Sequence, residues 1–431
     1  MKALEELFVK NQNRIANVVV PHNAAKSVWL KVKKDLGLER VRVLMAQTYL
    51  NLPTAQRRCD LLIVDEGHRF TNKDAIVFSK IIEETKNRFV MILSATFSEE
   101  QKMFMHKLGI KEIANVSMKE ATLCEYVAKH LNHWVNCNLY GENLRAINEL
   151  DEAFHSSWEP FERNFDKIRL CTQPTPEGDL TRLHFSQLLN IPPEHLFGMA
   201  QTALTAMQHR TSFLRKAPAK IDVVSDICKI HKGKKIITFG EYTDVADQLS
   251  NVLGKTSRSY HSSIPSTKVT RTKTKFWKTE KARDNFFIKN KGKLSLLETV
   301  AKCDQGYGVS WKTKKPVSGK AIAEENMKLF STPNSGVDIL NTCKSLDEAK
   351  DIDGVEVGII WSFSSKNRQM VQRFGRTIRW AEGKEAYLYF LVMKRPSART
   401  QEQVWAKSAT KGIDYLTIND YELKRQANPN V

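Results

Sequence analysis

Acidic residues are in short supply in this chain of 431 residues: 48 Asp and Glu stand against 67 Lys and Arg, a formal net charge of +19. A surplus of that size points to a polyanionic partner. Cysteine is sparse and unpaired, seven in all with no CxxC, which excludes a disulfide framework and predicts reduced thiols in a cytoplasmic setting. His130, His133 and Cys137 lack a fourth ligand at a suitable spacing, so no metal site is expected there. Also missing are an apolar run of membrane-spanning length, a signal-peptide pattern and an internal repeat. Glycine numbers 19, yet none falls in a Gly-x-x-x-x-Gly-Lys-[Ser/Thr] pattern, the loop whose backbone N–H groups and lysine enclose phosphates. Gly254-Lys255-Thr256 does not qualify, because Leu249 occupies the first glycine position and the residues before it have helical spacing.

What is present is a set of ordered blocks. Val371-Gln372-Arg373-Phe374-Gly375-Arg376-Thr377-Ile378-Arg379 places three arginines at three-residue steps. On a helix, Gln372, Arg376 and Arg379 line one side, and planar guanidiniums match phosphoryl oxygens. Upstream, Leu61-Leu62-Ile63-Val64 is a buried-strand run ending on Asp65-Glu66-Gly67-His68. Carboxylates at the C-terminal end of such a strand sit where open α/β sheets hold ligands. An Asp there can hold Mg²⁺, and a neighbouring Glu can polarise a water. A second run, Phe89-Val90-Met91-Ile92-Leu93, ends in Ser94-Ala95-Thr96.

These blocks resemble the motifs of superfamily 2 helicases of the DExH type. The arginine run is similar to motif VI, Asp65 to His68 to motif II, and Ser94 to Thr96 to motif III. Val18-Val19-Val20-Pro21 with Trp29 resembles motif Ia, and Gln47-Thr48-Tyr49 motif Ib. Lys234 to Glu241 resembles motif IV. Leu346 to Val355 resembles motif V, although Ala349 and Asp353 stand where the family has glycine and proline. The order of the blocks is itself the test of the match.

The resemblance implies an α/β fold of two RecA-like parallel-sheet domains with ATP and Mg²⁺ between them. Asp65 is then the Mg²⁺ residue, Glu66 the catalytic base, His68 a coupling residue facing Gln372, and Arg376 and Arg379 the arginine fingers on the γ-phosphate. Ser94 and Thr96 couple the nucleotide site to the nucleic-acid path, Asp351 accepts from the ribose hydroxyl, and Pro21 and Thr48 contact the sugar-phosphate backbone. Met1 to Lys10, with Ala3, Leu4, Leu7 and Phe8 at helical spacing, resembles the helix that follows the phosphate loop. The first domain is therefore expected to lack its N-terminal strand and loop. Since that strand is central, its loss predicts unpaired edges inside the sheet; a misassigned start or an interrupted reading frame would account for it, and otherwise a separate upstream polypeptide is the expected supplier.

The predicted organisation is a truncated first RecA-like domain over 1–140, a helical linker over 141–220, a second RecA-like domain over 221–395, and a tail from 396 to 431 packing back on it. In the linker, Leu144, Ile147, Leu150 and Phe154 form an apolar stripe that Pro192-Pro193 interrupts. Residues 261–320 carry fifteen Lys and Arg against four acids, a net of +11, leaving +8 for the other 371 residues. This block, about 263–320, is predicted to be an insertion in the second domain. Lys273, Lys275, Trp277 and Lys278 are its candidate nucleic-acid residues, with two outcomes open for its aromatics: stacking on bases or folding into a small core.

The expected function is an ATP-dependent helicase or translocase that remodels or unwinds DNA, with RNA an alternative substrate and no membrane partner. It belongs in style to the DExH proteins of phages and bacteria, acting in the cytoplasm of a bacterial or phage-infected cell. The alternative is a helicase remnant that binds nucleic acid without turning over ATP.

Overall fold

A computed structural model of the chain describes residues 14–70, 80–81, 89–94, 97–116, 118–343, 352, 354–363, 373, 375, 377, 379, 381–394, 401–410 and 413–429. The predicted helix over 1–10, Thr96, Asp351, Gln372 and Arg376 lie outside the described residues. The chain divides into two compact units, Met1–Ile230 with Leu346–Val431, and His231–Ser345.

The first unit opens with four parallel strands, β1 (Ala16–Val20), β2 (Val41–Met45), β3 (Leu61–Val64) and β4 (Phe89–Ile92), in the order β2-β1-β3-β4. Parallel strands covered on both faces need apolar residues at every position. Accordingly, the sequences AlaAsnValValVal of β1 and LeuLeuIleVal of β3 are buried throughout. Alternation splits them between two cores: Val18, Val20, Leu61 and Ile63 on one face, Val19, Leu62 and Val64 on the other. The one polar residue of β1, Asn17, is fully buried and satisfied, accepting from Arg42 Nε at 2.9 Å and donating to the Arg57 carbonyl at 3.1 Å. Past Pro21, His22 caps the helix Asn23–Asp35, its Nδ1 accepting from the Ala25 amide at 3.1 Å.

One expectation is corrected here. No gap separates β3 from β4: they pair directly in parallel register, from Leu61↔Phe89 to Val64↔Ile92. The facing backbone groups of β3 and β4, expected to be unpaired, instead bond one another along the ladder.

Residues 141–215 fold into helices Gly141–Trp158, Phe165–Cys171, Pro176–Leu189 and Pro193–Arg215. They enclose their own core of Trp158, Phe161, Ile168, Phe185 and Leu196, with Phe154 packed against it. The Trp158 indole N–H donates to the Ala203 carbonyl at 2.9 Å. The linker is thus a packed bundle; of its predicted stripe, Ile147 is buried while Leu144 is exposed. Pro193 opens the 23-residue last helix at its first turn, where a missing N–H costs nothing.

Later in the same unit, β5 (Lys129–Cys137), β12 (Val357–Ile360), β13 (Glu385–Met393) and β14 (Leu416–Asn419) run parallel in the order β14-β5-β13-β12. Although β5 stands within the 1–140 segment, it pairs along its whole length with β13, Lys129↔Glu385 through Cys137↔Met393. The tail supplies β14 and the helix Asp420–Ala427. Tyr415 stacks on Trp134 at 5.3 Å, and Trp405 lies under the Arg215 guanidinium at 4.5 Å.

In the second unit, β6 (Ile236–Gly240), β11 (Ile339–Cys343) and β7 (Ser257–Tyr260) run parallel in the order β6-β11-β7. Gly254 closes the preceding helix Thr243–Leu253 with φ +70°, as a C-terminal glycine does. The basic insertion is a three-stranded antiparallel sheet, β8 (Thr267–Trp277), β9 (Ser295–Cys303) and β10 (Gly306–Val317), in the order β8-β10-β9, with the helix Glu280–Asn290 between its first two strands in sequence.

Candidate nucleotide and nucleic-acid sites

At the C-terminal end of buried β3, Asp65 and Glu66 leave the sheet. The ladder continues past the strands: the Leu93 amide donates to the Val64 carbonyl at 2.9 Å, and the Gly67 amide to the Leu93 carbonyl at 2.8 Å. That close approach needs glycine, since a Cβ on Gly67 would lie 2.0 Å from Ile92 Cγ2. Stitching the acidic turn to the end of β4 brings His68 to Ser94, with Nδ1 and Oγ 3.0 Å apart. Glu66 carries the turn with a left-handed φ of 52°, a conformation costly for a non-glycine residue and concentrated at functional sites.

The Glu66 carboxylate lies 3.3 Å from His68 Nδ1, so that nitrogen faces both an acid and a hydroxyl. The His68 side chain is 1% exposed, whereas Glu66 retains 31%. Glu66 is therefore partly open to solvent, while its Oε2 is buried beside the imidazole that reaches the β4 end. Gln101, part of a capping box with Ser98, donates from Nε2 to the His68 carbonyl at 2.7 Å.

Asp65 is held from two sides. Its Oδ1 accepts from the Glu66 amide at 3.0 Å, and its Oδ2 from the Trp29 indole N–H at 2.9 Å. Sequence inspection marks Trp29 only as part of a block after β1 and misses this role. The signal was the placement of one large N–H donor two turns into a helix that starts at the end of β1, the strand beside β3. Pro21 is half-buried at the end of β1, and Thr48 is exposed on the short helix Ala46–Leu50.

In the arginine run, Arg373, Gly375 and Thr377 are helical, but the Arg373 side chain is 1% exposed and so takes no part in a solvent-facing trio. Thr377 is buried too, beneath Gly358, whose absent side chain leaves room for Thr377 Oγ1. Arg379 is half-buried and forms an antiparallel bridge with Val127; its carbonyl accepts from Lys384 Nζ at 3.0 Å.

In the insertion, Trp277 packs on Phe286 at 4.7 Å and Phe286 on Trp311 at 5.5 Å, over a fully buried Val309. Lys275 Nζ lies 5.3 Å from the Trp277 ring. Trp277, Phe286 and Trp311 thus belong to a small core. Lys273 and Lys278 are exposed. Among the described residues no group of three or more His, Cys, Asp or Glu is placed to hold a metal by protein ligands alone. None of the described helices is long and apolar enough to cross a membrane.

No protein-family model and no curated protein matches this sequence. Solved structures do resemble the fold. The helicase domain of Pyrococcus furiosus Hef aligns with a TM-score of 0.50 at 15% identity, over 95% of this chain and 92% of that one. S. cerevisiae Dbp5 bound to RNA and ADP BeF3 aligns with a TM-score of 0.47 at 10% identity, over 96% and 81%. A fragment of a putative HsdR subunit of a type I restriction enzyme from Vibrio vulnificus YJ016 aligns with a TM-score of 0.45 at 12% identity, over 94% and 58%.

Proposed function

Starting from a superfamily 2 helicase-like α/β fold, we propose that this chain is the larger part of an ATP-dependent helicase or translocase that remodels or unwinds DNA. The observation that carries the reading is the acidic turn at the end of β3, tied to Ser94 through His68 and to the helix after β1 through Trp29. Asp65 offers a carboxylate at the end of a buried strand, a donor that suits a hard divalent ion completed by water and phosphate oxygens. Bound Mg²⁺ and ATP would supply the electrophilic phosphoryl group and its charge neutralisation.

The chain's own residues then have distinct tasks. Asp65 would hold the ion, its carboxylate kept in one orientation by Trp29 and the Glu66 amide. Glu66, projecting from its left-handed turn, takes the proton of the attacking water. His68 relays the position of that carboxylate to Ser94 and the end of β4. Arg376 and Arg379 are assigned to the developing charge, and Gln372 to coupling with His68. Asp351 is assigned to the ribose, and Pro21, Thr48 and Lys278 to the nucleic acid. The proposed supplier of the phosphate-cradling loop is an upstream polypeptide, whose strand would join the sheet beside β3 or β4.

A second reading, a nucleic-acid binder without turnover, draws on the direct β3–β4 pairing. A fluorescent ATP analogue separates the two. The first predicts Mg²⁺-dependent binding once the polypeptide encoded upstream is added, lost in Asp65→Asn. Absence of nucleotide binding in that mixture, with DNA affinity intact, supports the second.

A further inference from the structure

The insertion has two faces of different kinds, and of the sequence candidates Lys273, Lys275 and Trp277 lie on the one against which its helix packs. Directly paired residues of an antiparallel ladder share a face. The pairs Trp277↔Tyr307, Lys275↔Val309 and Lys273↔Trp311 therefore put Lys273, Lys275 and Trp277 on the side where Phe286 of the helix Glu280–Asn290 packs.

The opposite side carries the intervening pairs: Phe276↔Gly308, Thr274↔Ser310 and Thr272↔Lys312, followed by Lys314 and by Lys268 opposite Pro316. Thr272, Thr274, Lys268, Lys312 and Lys314 are exposed there. At one end Phe276 is half-buried. A Cβ on Gly308 would meet its ring at 2.8 Å and Val300 at 2.9 Å, so the glycine lets the ring lie flat across the central strand. Glu298, opposite Ser310 on β9, bounds the cationic row on one side.

We infer that this uncovered face of the β8-β10-β9 sheet, with Phe276, Thr272, Thr274, Lys312 and Lys314, is a binding surface for single-stranded nucleic acid. The inference deepens the nucleic-acid contact in the proposed function and rests on it. Alternate residues of a strand repeat about every 7 Å, so Lys312 and Lys314 form a row that follows a phosphate backbone. The hydroxyls beside them donate to phosphate or base, and the Phe276 ring offers a face on which one unstacked base can lie. A base inside a duplex is already stacked on both sides, which makes a single strand the better fit.

Fluorescence anisotropy of a labelled single-stranded oligonucleotide, and of its duplex, tests this in the full chain. Lys312→Gln with Lys314→Gln should weaken single-strand binding about tenfold and lower the magnitude of the log–log salt slope by about 1.4. Lys281→Gln with Lys289→Gln, an equal charge loss on the helix, should change affinity less than about threefold. Phe276→Leu, which keeps apolar cover over Gly308, should weaken binding several-fold and Phe276→Tyr should not. Equal losses in the two lysine pairs, or a loss confined to the duplex, overturn the inference while leaving the nucleic-acid function standing. If the unmodified chain binds neither oligonucleotide, both fall.

Discussion

The Trp29 indole N–H donates to Asp65 Oδ2 at 2.9 Å, joining residues 36 positions apart. Hydrogen bonds to a charged acceptor contribute up to about 1.5–3 kcal/mol, less where water reaches the pair. Trp29→Phe keeps the ring's packing and removes the donor. Urea unfolding should show a loss of about 1–2 kcal/mol, and a double-mutant cycle with Asp65→Asn should show most of that loss as coupling. Additive losses would mean that the bond has no energetic weight.

Gly67 is fixed by the approach of β4. In Gly67→Ala the new Cβ would lie 2.0 Å from Ile92 Cγ2, and overpacking of this kind costs about 1–3 kcal/mol. Adding Ile92→Ala removes the clashing methyl, so the double variant should fall short of the sum of the two single losses. Simple addition in thermal denaturation would show that the chain end of β3 has room that the structure denies.

Lys220 Nζ and Glu402 Oε1 are 2.6 Å apart with side chains 3% and 2% exposed. Breaking a buried pair strands a charge, at about 3–5 kcal/mol, while replacing both members by apolar residues is near neutral. Glu402→Leu alone should be severely destabilising, and Lys220→Met with Glu402→Leu should recover most of the stability. A double variant no better than the single one contradicts this.

His133 on β5 stacks against Tyr389, with ring centroids 4.7 Å apart, and its burial holds the imidazole below its usual pKa of 6.5. Below about pH 6.5 the unfolded chain takes up a proton that the folded chain resists. Stability from this group is therefore present above that pH and is lost as pH falls towards the folded value. Urea midpoints should drop between pH 7.5 and pH 5.5, with a shallower drop in His133→Phe. The same slope in both proteins would assign the effect elsewhere.

Much of the candidate site is legible in the residues themselves, because a four-residue apolar run ending on Asp65-Glu66 signals both a buried strand and its functional end. The partners are less legible. Apolar periodicity tells which faces are covered but not which strand lies alongside, so the β3–β4 pairing and the placement of β5 beside β13 escape it. Trp29 escapes for the same reason, since its bond to Asp65 depends on β1 and β3 being neighbours. In the insertion, composition locates the charge, but only the pairing register decides that Trp277 is covered while Lys312 is open. Arg373 shows the converse error: a basic residue in a basic run that the fold buries.

The central claim is that Glu66, at the end of β3, serves phosphoryl transfer. DNA-stimulated release of inorganic phosphate from ATP, measured with the upstream-encoded polypeptide present, tests it most directly. The account predicts Mg²⁺-dependent turnover that falls at least about a hundredfold in Glu66→Gln while DNA affinity holds; background release from the reconstituted protein, unchanged by that substitution, would contradict it.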